Sequence, residues 1–126
     1  MNNKLLIVDD EDVLLRSLKP YFTRKGYVVF TALKGEDGLE LLKVEDPDLM
    51  ILDLHLKEGI QGVEVLKQAI ALKPTLKIAV VTGFGKDDDV IKMCLDLGAK
   101  AVLKKPITLD VLKEELEKLK GNKGEG

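Results

Sequence analysis

Five short aliphatic runs, separated by longer amphipathic stretches, constrain this 126-residue chain more than any other feature of its sequence. The runs KLLIV, YVVFTA, DLMIL, KIAVV and KAVL span residues 4–8, 27–32, 48–52, 77–81 and 100–103. Their short length and their β-branched side chains favour strands over helices. At least four runs lack polar–apolar alternation, which is typical of strands that are buried on both faces of a parallel sheet.

The stretches between these runs carry apolar residues at intervals of three to four, the spacing of one helix face. The predicted faces are Val13, Leu14, Leu18 and Phe22; Leu39, Leu42 and Val44; Val63, Leu66, Ile70 and Leu72; Val90, Ile91, Cys94 and Leu95; and Leu109, Leu112, Leu116 and Leu119. Gly26, Gly98 and Gly121 follow helices, where glycine often ends them. Pro20 predicts a kink in the first helix, or a break near Lys19.

Strands that alternate with helices, with a strand first, predict a (βα)5 chain. Right-handed crossovers between parallel strands make this a doubly wound α/β fold with a five-stranded parallel sheet. We expect residues 1–120 to form one domain, since the length suits a single core. The Gly-rich stretch GNKGEG, residues 121–126, is interpreted as a flexible tail or the start of a linker.

Composition argues against several classes of protein. The net charge of −2 and the interspersed charges offer no basic stripe for direct nucleic-acid binding. Cys94 is the single cysteine, which excludes an internal disulfide and a thiolate zinc site. No run approaches the roughly 18 apolar residues of a membrane span, and the first residues do not resemble a signal peptide. We therefore expect a cytoplasmic protein with no membrane association.

Polar side chains follow four of the five predicted strands at the point where each strand ends. They are Asp9, Asp10 and Glu11 after the first, Asp53 after the third, Thr82 after the fourth, and Lys104 and Lys105 after the fifth. Ligands of open α/β sheets bind beyond these carboxyl ends. Converging carboxylates repel one another, and Mg²⁺ can relieve that repulsion. Because Lys and Thr can hold a phosphoryl group, the pattern suggests phosphoryl transfer to a carboxylate, giving an aspartyl phosphate.

Each residue has an ordinary structural alternative. Asp53 could be a turn or helix-capping residue, and the Asp9–Asp10 pair could cap the first helix. Thr82 could be present for its β-propensity, and the two lysines could be a solvated pair. Their coincidence at one edge of one sheet favours a functional site.

The motifs LLIVDDE, DLMILDLHL, VVTG and GAKAVLKKP resemble those of the receiver domain of bacterial response regulators, over residues 4–120. The resemblance implies the flavodoxin-like strand order 2-1-3-4-5. It implies that Asp53 is the phosphoacceptor, and that Thr82 and Lys105 contact the phosphoryl group. It also implies a cis peptide bond between Lys105 and Pro106.

The resemblance further implies a site for Mg²⁺ or Mn²⁺. Asp10 would bind the ion directly and Asp9 chiefly through water, together with Asp53 and the backbone carbonyl of His55. The imidazole of His55 is interpreted as a bystander that tunes access to the site, because a phosphohistidine donor would come from the partner.

The implied function is a phosphorylatable switch rather than a classical enzyme, although it would catalyse its own phosphorylation and dephosphorylation. The donor would be a sensor histidine kinase or a phosphotransfer protein. The fourth helix, fifth strand and fifth helix, about residues 86–120, would control a downstream protein or a fused output domain, or form a homodimer. The chain is expected to be either a stand-alone regulator or a receiver cut from a longer protein.

Three features depart from the family pattern. The loop LKEGIQG lacks the usual proline and is read as one residue longer. Val102 stands where a tyrosine or phenylalanine is usual. His55 and Phe84 form a bulky pair at positions that flank the hydrolytic water in the family. These departures motivate an alternative, a pseudo-receiver that acts as a scaffold; a metal-dependent phosphatase is disfavoured because His55 replaces a second aspartate.

Overall fold

The computed structural model of the chain describes residues 3–83 and 88–121. The strands are β1 Lys4–Val8, β2 Val28–Ala32, β3 Leu49–Asp53, β4 Lys77–Thr82 and β5 Ala101–Lys104. They pair in parallel in the order β2-β1-β3-β4-β5. This order confirms the predicted doubly wound sheet, and each strand lies within one residue of its predicted position at either end.

A helix follows each strand in the described residues: α1 Asp12–Arg24, α2 Gly35–Glu45, α3 Gly62–Leu72, α4 Asp88–Leu97 and α5 Leu109–Lys120. Successive strand residues point to opposite faces of the sheet. Leu6, Met50 and Ile78 therefore pack with α2, α3 and α4 on one face. Leu5 and Ile51 pack with α1 and α5 on the other. The sheet thus has two hydrophobic cores, one on each face.

The three central strands are buried almost throughout, whereas the edge strands β2 and β5 are not. The expectation that at least four strands are buried on both faces is therefore wrong. Each edge strand lacks one neighbour, so its residues keep part of their surface exposed; Val28 on β2 is an example.

Helix α1 runs from Asp12 to Arg24 with Pro20 inside it, so the predicted alternative of a break near Lys19 is wrong. Its buried face also differs from the predicted one, because Val13 is 78% exposed whereas Leu15 is only 5% exposed. Leu15 lies three residues before Leu18, as one helix face requires, whereas Val13 lies five residues before it and falls off that face.

Several helix ends agree with the sequence signals. Gly26, Gly98 and Gly121 adopt positive φ values where helices α1, α4 and α5 end. The Thr108 side chain caps α5, because its hydroxyl accepts a hydrogen bond of 3.2 Å from the Val111 N–H. Phe84 and residues 122–126 of the expected tail lie outside the described residues.

The amino ends of the strands border a cavity of about 560 Å³. It is lined by Asn3, Asp48, Leu49, Lys73, Thr75, Lys77 and Lys120. This cavity lies at the opposite end of the sheet from the polar residues that the sequence singled out. None of the helices within residues 3–83 and 88–121 combines the length and the apolar character of a membrane-spanning segment.

Candidate functional site

The strand ends bring the predicted site residues to one edge of the sheet. Asp53 is the last residue of β3 and Thr82 the last of β4, while Asp9 and Lys105 directly follow β1 and β5. Strands β1, β3 and β4 are parallel neighbours, with Val8 paired to Leu52 and Asp53 to Val81. Their carboxyl ends therefore meet, and the polar side chains beyond them converge.

Asp9, Asp10 and Asp53 form the acidic cluster. Carboxylate oxygens of all three lie within 4.8 Å of one another. Asp9 and Asp53 are each only 4% exposed. Burial, together with the charge of Asp53, raises the pKa of Asp9 despite a backbone hydrogen bond and the nearby Lys105, which oppose the shift. Oxygen donors of this kind suit a hard divalent cation, so the cluster could hold a metal ion.

Lys105 supplies positive charge beside this cluster. Its Nζ lies 3.5 Å from Asp9 Oδ2, 3.5 Å from Asp53 Oδ2 and 3.4 Å from Glu11 Oε1. Burial alone would lower the pKa of the Lys105 ammonium, but the charges of the three carboxylates outweigh it and raise that pKa. The side chain is therefore held in its charged form, able to pair with an anionic group at Asp53.

The fifth strand ends as the sequence predicts. The Lys105–Pro106 peptide bond is cis, which confirms the expectation. The backbone N–H of Lys105 donates a hydrogen bond of 2.9 Å to the Thr82 carbonyl. The Lys105 side chain reaches the acidic cluster, whereas the Lys104 side chain is exposed.

Backbone N–H groups orient each carboxylate of the cluster. Asp9 Oδ1 accepts from the Glu11 N–H at 2.9 Å, and Asp53 Oδ1 from the His55 N–H at 3.0 Å. Asp10 Oδ2 accepts from the Lys57 N–H at 2.7 Å. Glu11, and neither Asp9 nor Asp10, occupies the N-cap of α1, and its side chain makes no capping hydrogen bond.

Thr82 and His55 meet beside the cluster. Thr82 is 2% exposed, and its Oγ1 lies 3.1 Å from Nε2 of the His55 ring. The sequence-based interpretation of the His55 ring as a bystander did not predict this contact with Thr82. No feature of the sequence signals it. The Lys57 N–H is likewise a partner that sequence reasoning missed.

Gly62 fixes the start of α3 against the end of β3. A Cβ at this position would lie 2.5 Å from Leu54 Cα, 2.6 Å from the Leu54 carbonyl oxygen and 2.8 Å from the Asp53 carbonyl oxygen. The Gly62 N–H donates a hydrogen bond of 3.2 Å to that Leu54 carbonyl. This close approach positions the backbone that carries Asp53.

The loop between β3 and α3, residues 54–61, also contacts α2. The Ile60 N–H donates to Glu36 Oε2 at 3.3 Å, and Lys34 Nζ lies 3.6 Å from Glu58 Oε1. The loop therefore spans from Asp10 to the start of α2. On the other side of the site, Val102 of β5 packs its half-buried side chain against the core.

An open cavity of about 230 Å³ lies over the acidic cluster. Its lining comprises Asp10, Glu11, Asp53, His55, Lys57, Gly83 and Lys105. A ligand in this cavity would meet carboxylates and an ammonium group together. That combination suits a metal ion bound beside a phosphoryl group.

Comparisons with known proteins identify a family and a fold that this chain resembles. A family model described as the response regulator receiver domain matches residues 5–117. Sporulation initiation phosphotransferase F of Bacillus subtilis is 33% identical over 118 residues, which cover 94% of this chain and 94% of that protein. A receiver domain protein (CheY-like) from Methanospirillum hungatei JF-1 superposes with a TM-score of 0.85 and 32% identity, covering 95% of each chain.

Other relatives are longer than this chain. Alkaline phosphatase synthesis transcriptional regulatory protein PhoP of Bacillus subtilis is 38% identical over 109 residues, covering 86% of this chain but only 44% of that protein. The chain therefore spans nearly the full length of one relative and less than half of another.

Proposed function

This chain belongs to the response regulator receiver domain family of two-component signalling, and we propose that it is a switch in which Asp53 accepts a phosphoryl group. One observation carries the proposal. The buried Asp53 carboxylate belongs to an acidic cluster that could hold a metal ion, lies 3.5 Å from the Lys105 Nζ and lines an open cavity.

In the proposed step, an Asp53 carboxylate oxygen attacks the phosphorus of a phosphohistidine. The oxygen–phosphorus bond forms, the phosphorus–nitrogen bond of the donor breaks, and the released imidazole takes up a proton. The His55 N–H holds Asp53 in position through Oδ1, at 3.0 Å. Lys105, 3.5 Å from Oδ2, pairs with the phosphoryl oxygens, and the Thr82 hydroxyl donates to them.

The acidic cluster fits Mg²⁺ or Mn²⁺, because three carboxylates of this kind would otherwise repel one another. Asp9, Asp10, Asp53 and the backbone carbonyl of His55 would hold the ion. When bound, it would neutralise charge on the phosphoryl oxygens during transfer.

The donor in this proposal is a sensor histidine kinase or a phosphotransfer protein. Residues 1–120 act as the receiver, which is not a classical enzyme but promotes its own phosphorylation and dephosphorylation. The output is a downstream protein or a fused output domain, reached through α4, β5 and α5. The same face is the proposed surface for a homodimer.

The test is phosphorylation by a small donor. Incubation with acetyl phosphate and Mg²⁺ should add the mass of one phosphoryl group to the intact wild-type chain. Asp53→Asn should take no label, and removal of the divalent ion by chelation should prevent labelling. Asp96→Asn, which removes an exposed aspartate of α4, is the matched control and should label normally. An unlabelled wild-type chain, or equal labelling of Asp53→Asn, would overturn the proposal.

The pseudo-receiver is a second candidate, favoured by Val102 at the position where the family usually carries an aromatic ring. Such a chain would bind partners without a phosphorylation-dependent switch. Normal labelling without any change in amide exchange over residues 82–83 and 88–110 would favour this candidate.

A further inference from the structure

The imidazole of His55 contacts Thr82, although His55 projects from a loop and Thr82 ends a central strand. Nε2 of the ring lies 3.1 Å from Thr82 Oγ1, while the His55 backbone N–H donates to Asp53 Oδ1 at 3.0 Å. The Thr82 side chain is buried and the His55 side chain is exposed. His55 therefore forms hydrogen-bond contacts with both Asp53, the proposed phosphoacceptor, and the Thr82 hydroxyl, the proposed phosphoryl-binding group.

We propose that His55 is a positioning residue whose Nε2–H donates to Thr82 Oγ1 and so directs the threonine proton toward the phosphoryl oxygens on Asp53. A hydroxyl has one proton to donate and two lone pairs that accept. When a lone pair of Oγ1 accepts from the imidazole, its own proton remains for the strongest acceptor nearby. A phosphoryl group on Asp53 would be that acceptor. The inference rests on the proposed function and names a residue that acts through Thr82.

The opposite flank of the site supports this assignment. Val102 on the neighbouring strand β5 carries no side-chain donor or acceptor, so it cannot orient the Thr82 hydroxyl. The loop that carries His55 is itself held, since the Lys57 N–H donates to Asp10 Oδ2 at 2.7 Å. The imidazole thus reaches Thr82 from a backbone that is tied to the acidic cluster at both His55 and Lys57.

Kinetics of phosphorylation test this role. His55→Leu keeps the backbone N–H and carbonyl but removes the ring nitrogens. At saturating Mg²⁺ and fixed pH it should lower the phosphorylation rate with acetyl phosphate about two- to tenfold, the effect of one lost hydrogen bond. His55→Gln offers a side-chain N–H donor and should recover much of that rate. If His55 served only to fill apolar volume, His55→Gln would not recover the phosphorylation rate.

A double-variant comparison shows whether His55 acts through Thr82. In a Thr82→Val background, His55→Leu should cause no further loss of rate, because the hydroxyl that it orients is gone. Independent losses that multiply in the double variant would overturn the inference. So would a His55→Gln rate no higher than that of His55→Leu.

Nitrogen-15 NMR of the imidazole tests the hydrogen bond without phosphorylation. His55 is the single histidine in the sequence, so one ring gives the signals. We expect the Nε2–H tautomer in the wild-type chain, and a shifted Nε2 resonance in Thr82→Val. A ring protonated only at Nδ1, in a chain that labels normally on Asp53, would overturn this inference alone. A wild-type chain that takes no label would overturn the proposed function and this role with it.

Discussion

Asp9 carries a buried negative charge, and in the metal-free chain that charge costs stability. Its carboxylate lies within 4.8 Å of those of Asp10 and Asp53, and burial raises its pKa. Asp9→Asn keeps an oxygen that can accept from the Glu11 N–H. We expect it to stabilise the metal-free fold by about 1 kcal/mol, measured by urea denaturation. The same variant should bind Mg²⁺ more weakly, measured by titration calorimetry.

The pH dependence of this effect follows from the direction of the pKa shift. The folded chain holds the Asp9 proton more strongly than the unfolded chain, whose Asp pKa is about 3.9. The destabilisation by the Asp9 charge is therefore present above the raised pKa of the folded chain. It is lost as pH falls through that pKa toward the unfolded value. The advantage of Asp9→Asn should therefore shrink at acidic pH. Asp37→Asn, at an exposed position in α2, is the control and should not stabilise. An Asp9→Asn chain less stable than wild type would contradict a crowded acidic cluster.

Tyr27 buries a hydroxyl that has no hydrogen-bond partner among the described residues. Its ring packs edge-on against Phe22 with a centroid distance of 5.6 Å, so the ring itself is well placed. Tyr27→Phe should stabilise the fold by about 1 kcal/mol, because it removes a buried polar group and keeps the ring. Tyr21→Phe is the matched control: the Tyr21 hydroxyl donates to Asp110 at 3.1 Å, so its loss should not stabilise. Urea denaturation at neutral pH measures both.

The raised pKa of Tyr27 predicts how the stability of the fold changes at alkaline pH. Burial and the charge of Glu117 raise the pKa of Tyr27 to about 12. The folded chain therefore keeps this proton above about pH 10, where an unfolded tyrosine loses it, and stability falls as pH rises between these values. Tyr27→Phe should lose less stability than wild type over that interval. Equal alkaline losses in the two chains would show that Tyr27 does not control this response.

The sequence predicted some residues of the candidate site but not all of their contacts. The strand-end rule located Asp9, Asp53 and Thr82, because parallel strands must bring such residues to one edge. It named Lys104 and Lys105 together, and the family resemblance selected Lys105. The rule did not find the contact between Thr82 and the His55 ring. That contact depends on the backbone path of a loop, which periodicity does not report. The Lys57 N–H was also unpredictable, since every residue except proline carries such a donor.

Among the elements, α3 depends most sharply on one small residue. An added Cβ at Gly62 would meet backbone atoms of Leu54 and Asp53 at 2.5 to 2.8 Å, and backbone cannot move as cheaply as a flexible side chain. Gly62→Ala should therefore displace α3 from the end of β3, destabilise the fold by roughly 2 kcal/mol, and slow phosphorylation of Asp53. Urea denaturation and acetyl phosphate labelling measure the two effects.

Gly83→Ala provides the stability control for that substitution. Among the residues that the structure describes, a Cβ at Gly83 would meet nothing within 4 Å, and Gly83 does not adopt a positive φ. This variant should unfold at nearly the wild-type urea concentration. A Gly62→Ala chain as stable as Gly83→Ala would indicate that the start of α3 can move without cost.

The strands were easier to predict than the helix faces. Central strands of a parallel sheet are apolar at nearly every position, so their runs stand out in the sequence. A helix face is defined only by spacing, and in α1 both Leu14 and Leu15 lie three to four residues before Leu18. Which of them is buried depends on how the helix lies on the sheet. The exposure of the edge strands likewise follows from strand order, which came from family resemblance and not from the residues alone.

Phosphorylation should change the structure of some elements of the fold and leave others unchanged. Thr82 ends β4 and Lys105 directly follows β5, so a new phosphoryl group would act first on these two strands. Hydrogen exchange should change in β4, β5, α4 and α5, measured by mass spectrometry with and without acetyl phosphate. Strand β2, at the far edge of the sheet, is the internal control and should not change. A uniform change across the sheet would contradict a response through the α4–β5–α5 face.

The two ends of the sheet carry charges of opposite sign. Asp9, Asp10 and Asp53 crowd the carboxyl edge, whereas Lys73, Lys77 and Lys120 line the cavity at the amino edge. Acidic groups outnumber basic ones around the acidic cluster, where Lys105 also lies, and basic groups outnumber acidic ones around the amino-edge cavity, where Asp48 also lies. A partner with a basic face would rotate the chain during approach, so that the acidic edge arrives first. Binding a divalent cation would weaken that orientation, which couples the occupancy of the site to the direction of encounter.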